Sequence, residues 1–277
     1  MTVGICGLGL IGGSMAKAYK EAGHTVLGAD ADQNTMGYSL LAGIADGELN
    51  NESIDRCDLI FIALYPAAAA EYLCRIAPLI NKNTTVIDLC GTKKNICELG
   101  FALAEKHGFT FVGGHPMAGT QYSGIKYSKA TLFKNAPMVI VPPKYDDIQF
   151  LDNIKTLLAP AGFGKITVTT AEEHDKMIAF TSQLAHVVSN AYVKSPTAQS
   201  HKGFSAGSYK DLTRVAWLNE NMWTDLFLEN KEPLLFEIDC IISSLSEYRS
   251  AIEKGDSEGL RSLLRDGRIA KEKVDGK

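Results

Sequence analysis

Residues able to act on a small molecule fall in four groups along this 277-residue chain. The first is glycine. Gly7, Gly9 and Gly12 form a G-x-G-x-x-G pattern inside residues 1–14, MTVGICGLGLIGGS. An apolar strand with Val3 and Ile5 precedes it and a helical pattern over 14–22 follows, which is the setting the pattern requires. Gly7 allows the tight turn, Gly9 lets backbone approach a pyrophosphate, and Gly12 lets helix and strand pack closely. Leu10 and Ile11 bring the N–H groups and positive dipole end of the helix to the phosphates. Asp30 ends the second strand at about the 20-residue offset where an acidic side chain accepts from the ribose hydroxyls and repels a 2′-phosphate. Asp32 is an alternative acceptor. Leu64, at the end of a third strand, completes the expected set, and the cofactor expected is NAD. The bland alternative is a glycine-rich turn with a surface aspartate.

The second group lies where later strands end: Asp88, Thr92 and His115, the last followed by Pro116. Histidine can give or take a proton at a substrate hydroxyl near neutral pH. A loop histidine is more commonly structural; a place beside a nicotinamide favours catalysis. The third group, Asp175, Ser182, His186 and Ser189, shares one face of a helix. It is either a solvated stripe or a cleft wall. The fourth is Lys210 with Arg214, whose planar fork suits a carboxylate. A surface pair of Arg214 with Asp211 is the alternative.

These groups need a frame. Apolar strands at 58–64, 84–89, 109–113 and 136–141 alternate with helices ending near Ala42, Ile76 and His107. Continuous apolar strands between helices predict an α/β fold, a doubly wound parallel sheet covered on both faces. Pro142-Pro143 marks a boundary, giving a cofactor domain over 1–143 and a helical domain over 144–277. Past it, apart from a strand candidate at 165–169, the periodicity is helical. Thr170-Ala-Glu-Glu173 is a capping box opening a helix to about Lys194. Three more helices are predicted at 219–230, 232–254 and 256–271. Residues 234–245, LLFEIDCIISSL, are apolar over more surface than one core-facing stripe needs. That predicts a homodimer.

Composition removes other classes. The chain is 45% hydrophobic and 22% charged, with net charge −4. No basic excess suggests nucleic acid, and no run approaches the ~20 apolar residues of a bilayer span. The six cysteines show neither C-x-x-C nor metal spacing, so no metal is expected and reduced thiols are. With the first strand starting at once, no secretory signal and a cytoplasmic location are expected.

Together these residues resemble the prephenate dehydrogenase family, arogenate dehydrogenases included. The matching stretches are Gly7-x-Gly9-x-x-Gly12-Gly13, Asp88-x-x-Gly91-Thr92-x-Lys94, His115-Pro-Met-Ala-Gly119, Glu173-His-Asp175, Ser182-Gln-Leu-Ala-His186 and Lys210-Asp-Leu-Thr-Arg214-Val-Ala with Met222-Trp223. The resemblance implies a Rossmann domain followed by an all-α dimerisation domain. It implies NAD-dependent oxidative decarboxylation of prephenate to 4-hydroxyphenylpyruvate, on the route to tyrosine. By the resemblance His115 polarises the C4 hydroxyl as hydride leaves, supported by Thr92 where the family usually has serine. His186 and Ser182 line the substrate cleft, Arg214 holds a carboxylate, and Lys210 and Trp223 are further contacts. Gln121 stands where some relatives carry an acidic residue. Arogenate is the alternative substrate. More distant alternatives are a β-hydroxyacid dehydrogenase, whose lysine would have to be Lys176 or Lys194, and an NAD sensor without catalysis.

Overall fold

The structure, a computed structural model, describes residues 1–120 and 122–276. The sequence-based expectation for Gln121 lies outside the described residues. In order, the first part of the chain forms β1 (Thr2–Cys6), α1 (Leu10–Glu21), β2 (Thr25–Ala29), α2 (Gln33–Leu41), β3 (Gly47–Glu48), β4 (Leu59–Ile62) and α3 (Pro66–Ile76). Then come β5 (Thr85–Asp88), α4 (Lys94–His107), β6 (Thr110–Pro116), β7 (Pro137–Val141), α5 (Ile148–Leu158) and β8 (Lys165–Val168). The eight strands make one sheet in the order β3-β2-β1-β4-β5-β6-β7-β8. All neighbours run parallel except β6 and β7, which pair antiparallel. The sheet thus continues past Pro142-Pro143.

The sheet is covered on both faces, which is why its central strands are mostly apolar. On one side Met15, Ala16 and Tyr19 of α1 and Ile154 and Leu158 of α5 pack on Val3, Ile5 and Phe61. On the other, Leu73 and Ile76 of α3 and Ile96 of α4 pack on Ile60, Ile62 and Val86. Each large apolar side chain so buried contributes about 1.5–3 kcal/mol. The doubly wound arrangement expected from the strand pattern is what forms.

Two local expectations change. His115 lies within β6, not in a loop after it: β6 runs on to Pro116 because β7 supplies an antiparallel partner, with His115 opposite Val139. The long helix from Thr170 is α6 (Ala171–Ile178), a π-helical stretch (Ala179–Leu184) and α7 (Ala185–Val193) in succession. Thr170 Oγ1 caps it, accepting from the Glu173 N–H at 3.1 Å. The wider π turn separates Asp175 from Ser182, so ideal α-helical spacing no longer relates the four polar residues as one face. Two of the four, Asp175 and Ser189, are buried, so no solvated stripe forms.

Beyond α7 come α8 (Gly207–Thr213) and α9 (Glu220–Glu229), the latter capped by Asn219, whose side chain accepts from the Met222 N–H at 3.0 Å. Residues 1–230 form one compact unit and residues 231–277 a second. The second unit is a helical hairpin, α10 (Lys231–Lys254) and α11 (Ser257–Val274), whose Tyr248 hydroxyl donates to the Leu263 carbonyl at 3.2 Å. No helix among the described residues is long and apolar enough to cross a membrane.

Candidate active site

In such a sheet, ligands bind beyond the carboxyl ends of the strands. Here those ends carry Gly7 after β1, Leu64 after β4, Thr92 after β5 and His115 at the end of β6. Gly7 has φ +84°, and a Cβ there would stand 2.4 Å from the Ala63 carbonyl oxygen. At Gly12 a Cβ would stand 1.8 Å from the Gly7 carbonyl oxygen. Over Gly9 nothing lies within 4 Å, so the turn is open on that side. Gly9 begins α1 without a side-chain cap. The N–H groups of Leu10 and Ile11 therefore belong to a first turn with no side-chain acceptor. Such a turn can cradle a pyrophosphate. Leu64 packs against the turn, its side chain 2.9 Å from where a Gly7 Cβ would be.

Asp30 faces the same turn. One carboxylate oxygen accepts the Leu8 N–H at 2.7 Å and the other the Asp32 N–H at 2.9 Å. The Asp32 side chain is used elsewhere. It caps α2, accepting from Asn34 N–H, Thr35 N–H and the Thr35 hydroxyl. Those bonds, the Thr35 hydroxyl's first, hold its carboxyl below the usual range. Of the two carboxylates, Asp30 is the one joined to the glycine turn. A cleft of about 500 Å³ opens beside it, lined by Ala29, Leu49, Asn50, Tyr72, Arg75 and Ile76. The residues present fit a bound dinucleotide.

His115 is half-buried, and its Nδ1 lies 2.9 Å from Nε2 of His174. The other nitrogen of His174 lies 2.7 Å from Asp175 Oδ1. Asp175 also accepts the backbone N–H of Lys93 at 2.7 Å and of Lys94 at 2.9 Å, which ties α6 to the start of α4. Asn230 completes the anchorage, donating to the Asp175 carbonyl at 2.8 Å and to Gln183 Oε1 at 2.7 Å. Gln183 in turn donates to the Leu226 carbonyl at 3.0 Å. Burial, then His174, then the Lys93 ammonium push the His115 pKa well below its usual value. His115 is a neutral imidazole at pH 7.

Lys93 is fully buried and paired with Asp88. Asp88 also accepts from the Gly114 and Cys90 N–H groups at 3.1 and 2.9 Å, which joins the ends of β5 and β6. The lysine that points inward is therefore Lys93, whereas Lys94 of the matched motif is exposed. Thr92 donates to Glu229 Oε2 at 2.6 Å. Burial raises the Glu229 pKa.

A second cluster joins the start of α7 to α9. The His186 ring stacks on Trp223 with centroids 3.8 Å apart, and Trp223 packs on Phe227 at 5.2 Å. His186 Nδ1 lies 2.9 Å from the Ser182 carbonyl oxygen, so it donates there and leaves Nε2 as an acceptor. Burial first, and the Arg214 charge as well, lower the His186 pKa. Arg214 is exposed and, among the described residues, pairs with no carboxylate; the Asp211 pair is not formed. Lys210 sits on an exposed side of α8. No group of three His, Cys, Asp or Glu among the described residues is arranged to hold a metal.

Sequence reasoning assigns no role to His174, Gln183, Glu229 or Asn230. For His174 and Asp175 a signal exists: two polar residues directly behind a capping box, on the first turn of a helix that must pack against the sheet. Asn230 and Gln183 give none, because each bonds across a long sequence separation.

Comparisons with known proteins point to one family. A family model described as "Prephenate dehydrogenase, nucleotide-binding domain" matches residues 15–167, and one described as "Prephenate dehydrogenase, dimerization domain" matches 170–266. A prephenate dehydrogenase of Lactococcus lactis is 30% identical over 273 residues, covering 95% of this chain and 75% of its own length. The structure of the A. aeolicus prephenate dehydrogenase with hydroxyphenyl propionate and NAD+ superposes with TM-score 0.82 at 27% identity, covering 99% of this chain and 98% of that one. The Synechocystis arogenate dehydrogenase structure superposes equally well, TM-score 0.82 at 26% identity, over 99% of this chain and all of that one.

Proposed function

The chain belongs to the prephenate dehydrogenase family, and from that premise we propose that it oxidises prephenate with NAD, releasing carbon dioxide and leaving 4-hydroxyphenylpyruvate. It is an NAD-dependent dehydrogenase of the prephenate/arogenate type; the proposal is the choice of prephenate. The observation that carries the assignment of the chemistry is His115, a neutral imidazole at the end of β6 on the cofactor side of the sheet, with its Nδ1 engaged by His174.

When bound, NAD supplies the acceptor for the hydride that leaves C4. Gly7, Gly9 and Gly12, with the Leu10 and Ile11 N–H groups, hold its pyrophosphate. Asp30 accepts from the adenosine ribose, the cleft bordered by Tyr72 and Arg75 takes the adenine, and Leu64 packs over the turn. His115 accepts the hydrogen bond of the C4 hydroxyl at Nε2 and draws electron density onto that oxygen as hydride departs. The C1–carboxylate bond then breaks, and its electron pair makes the ring aromatic. No net proton is released, because the one shared with His115 stays with the phenolic oxygen. Catalysis is therefore positioning with modest acid–base help.

Prephenate carries two carboxylates, and the protein must supply cations against its own net negative charge. Arg214 is the carboxylate fork, with Lys210 as a further cation. His186, Ser182 and Trp223 form the cleft wall, His186 presenting Nε2. Thr92, its proton held by Glu229, stands as a second polar group in the segment that follows β5, the strand next to β6. In the second unit, α10 leaves Phe236, Ile242 and Leu245 at least 55% exposed. We assign these exposed apolar side chains to contacts with a second copy of the chain, so the working form is a homodimer. Sedimentation over a concentration series that shows only the 30.0 kDa species would refute the dimer. The six cysteines are all free, four of them buried, which suits a reducing cytoplasm.

The test of substrate is NADH formation with prephenate and arogenate offered in parallel. Turnover of prephenate alone supports the proposal. Turnover of arogenate alone moves the substrate and keeps the cofactor and His115; silence with both, while NAD still binds, overturns the activity.

A further inference from the structure

We infer that His174, held by Asp175, is a positioning residue that fixes the orientation and tautomer of His115. The inference rests on the reading of His115 as acceptor for the substrate hydroxyl. It starts from donor and acceptor bookkeeping. A carboxylate only accepts, so the 2.7 Å contact between His174 Nδ1 and Asp175 Oδ1 places a proton on Nδ1 of His174. A neutral His174 then has only a lone pair at Nε2. The 2.9 Å contact of that nitrogen with His115 Nδ1 requires a proton between them, and it belongs to His115. A neutral His115 protonated at Nδ1 keeps its lone pair on Nε2. That is the nitrogen the substrate hydroxyl needs.

The opposite arrangement would stop the reaction. A doubly protonated His174 would donate from Nε2 to His115, and neutral His115 would then carry its proton at Nε2, with no lone pair for a hydroxyl. Burial, and after it the Lys93 charge, act against that cation, while the Asp175 carboxylate acts for it, and the net direction is a pKa below the usual value. The charged groups facing the pair are Lys93 and Asp88 from the β5–α4 connection and Asp175 from α6. Lys93 and Asp88 are paired with each other.

The anchor cannot swing. Asp175 accepts two backbone N–H groups at the start of α4 besides His174, and its own carbonyl holds Asn230. His174 is 3% exposed. The direction of the His115 ring is thus set from α6 and relayed through one imidazole. In the same way a fixed partner on one imidazole nitrogen sets what the other can do.

Two amides separate this role from mere packing. The Gln side chain puts its amide oxygen where His174 Nε2 stands, still able to accept from His115; Asn reaches only as far as Nδ1 and leaves His115 without a partner. In His174→Asn, kcat with NAD and prephenate should fall by about tenfold to a hundredfold, part of what acid–base help supplies. KM and NAD affinity should change little, and His174→Gln should recover most of the loss. In a His115→Asn background the His174→Asn change should cost almost nothing further, because both act through one ring. Equal losses in the Asn and Gln variants, or a loss of the same size in the His115→Asn background, would overturn the inference. If His115→Asn alone left kcat unchanged, the reading of His115 would be what failed. If His174→Asn did not fold, His174→Gln decides: activity near that of the parent supports the relay, and a tenfold loss in a folded protein contradicts it.

Discussion

At the scale of the residue, two glycines of one motif do different work. A methyl group at Gly12 would collide with the Gly7 carbonyl, whereas one at Gly9 would meet nothing in the protein. Gly12→Ala should therefore cost stability, about 1–3 kcal/mol as for an overpacked site, and NAD binding with it. Gly9→Ala should weaken NAD binding while the melting temperature stays unchanged, since the methyl would occupy only the space over the turn. Thermal melts beside calorimetric NAD titrations distinguish the two; a stability loss at Gly9 equal to that at Gly12 would mean that the open side of the turn is not the cofactor's. These glycines were legible in the sequence, because conformational freedom and closeness are what glycine alone provides. The choice between Asp30 and Asp32 was not. It depended on which carboxylate the α2 cap would consume, and Asp32 precedes Asn34 and Thr35 closely enough to be that cap.

At the scale of the element, alternation of apolar strands and helices was readable because a sheet covered on both faces leaves few polar positions in its central strands. The extension of β6 through His115 was not, since Gly113-Gly114-His115-Pro116 lacks the apolar pattern and becomes strand only by pairing with β7. Nor was the π-helical stretch at Ala179–Leu184, which changes hydrogen bonding without a marker in residue type. Residue spacing alone predicts a single polar face along this helix. In the structure Asp175 instead turns to the start of α4 and His186 to Trp223. Asn230, at the end of α9, fastens this helix through Asp175 and Gln183. Asn230→Ala removes both bonds and leaves the buried Gln183 Oε1 without a donor, and should cost about 1–3 kcal/mol, read as a lowered denaturation midpoint. A change below about 0.5 kcal/mol, the size of an ordinary surface substitution, would show that the anchorage is redundant.

At the scale of the whole molecule, the protein keeps four buried or half-buried histidines, His24, His115, His174 and His186, with pKa values below the usual one, burial being the first cause in each. Protonation of these groups is easier in the unfolded chain. Their contribution is intact above the unfolded value of about 6.5 and is lost as pH falls below it towards the depressed folded values. Glu229, raised by burial, works in the opposite direction, one group against four. The melting temperature should therefore decline as pH is lowered from neutral to about 5, and replacing His174 by Gln should flatten that decline. A melting temperature constant over this range would contradict the assignment of neutral histidines. With His115 in its proposed role, turnover should hold at neutral pH and fall on the acid side.

The most direct measurement is the kinetics of His115→Asn with prephenate and NAD, with NAD affinity determined on the same preparation. If His115 polarises the hydroxyl, kcat falls by about a hundredfold or more while NAD affinity is retained. Turnover equal to that of the unmodified protein would contradict this, leaving the fold and the cofactor cradle in place but removing His115 from the chemistry.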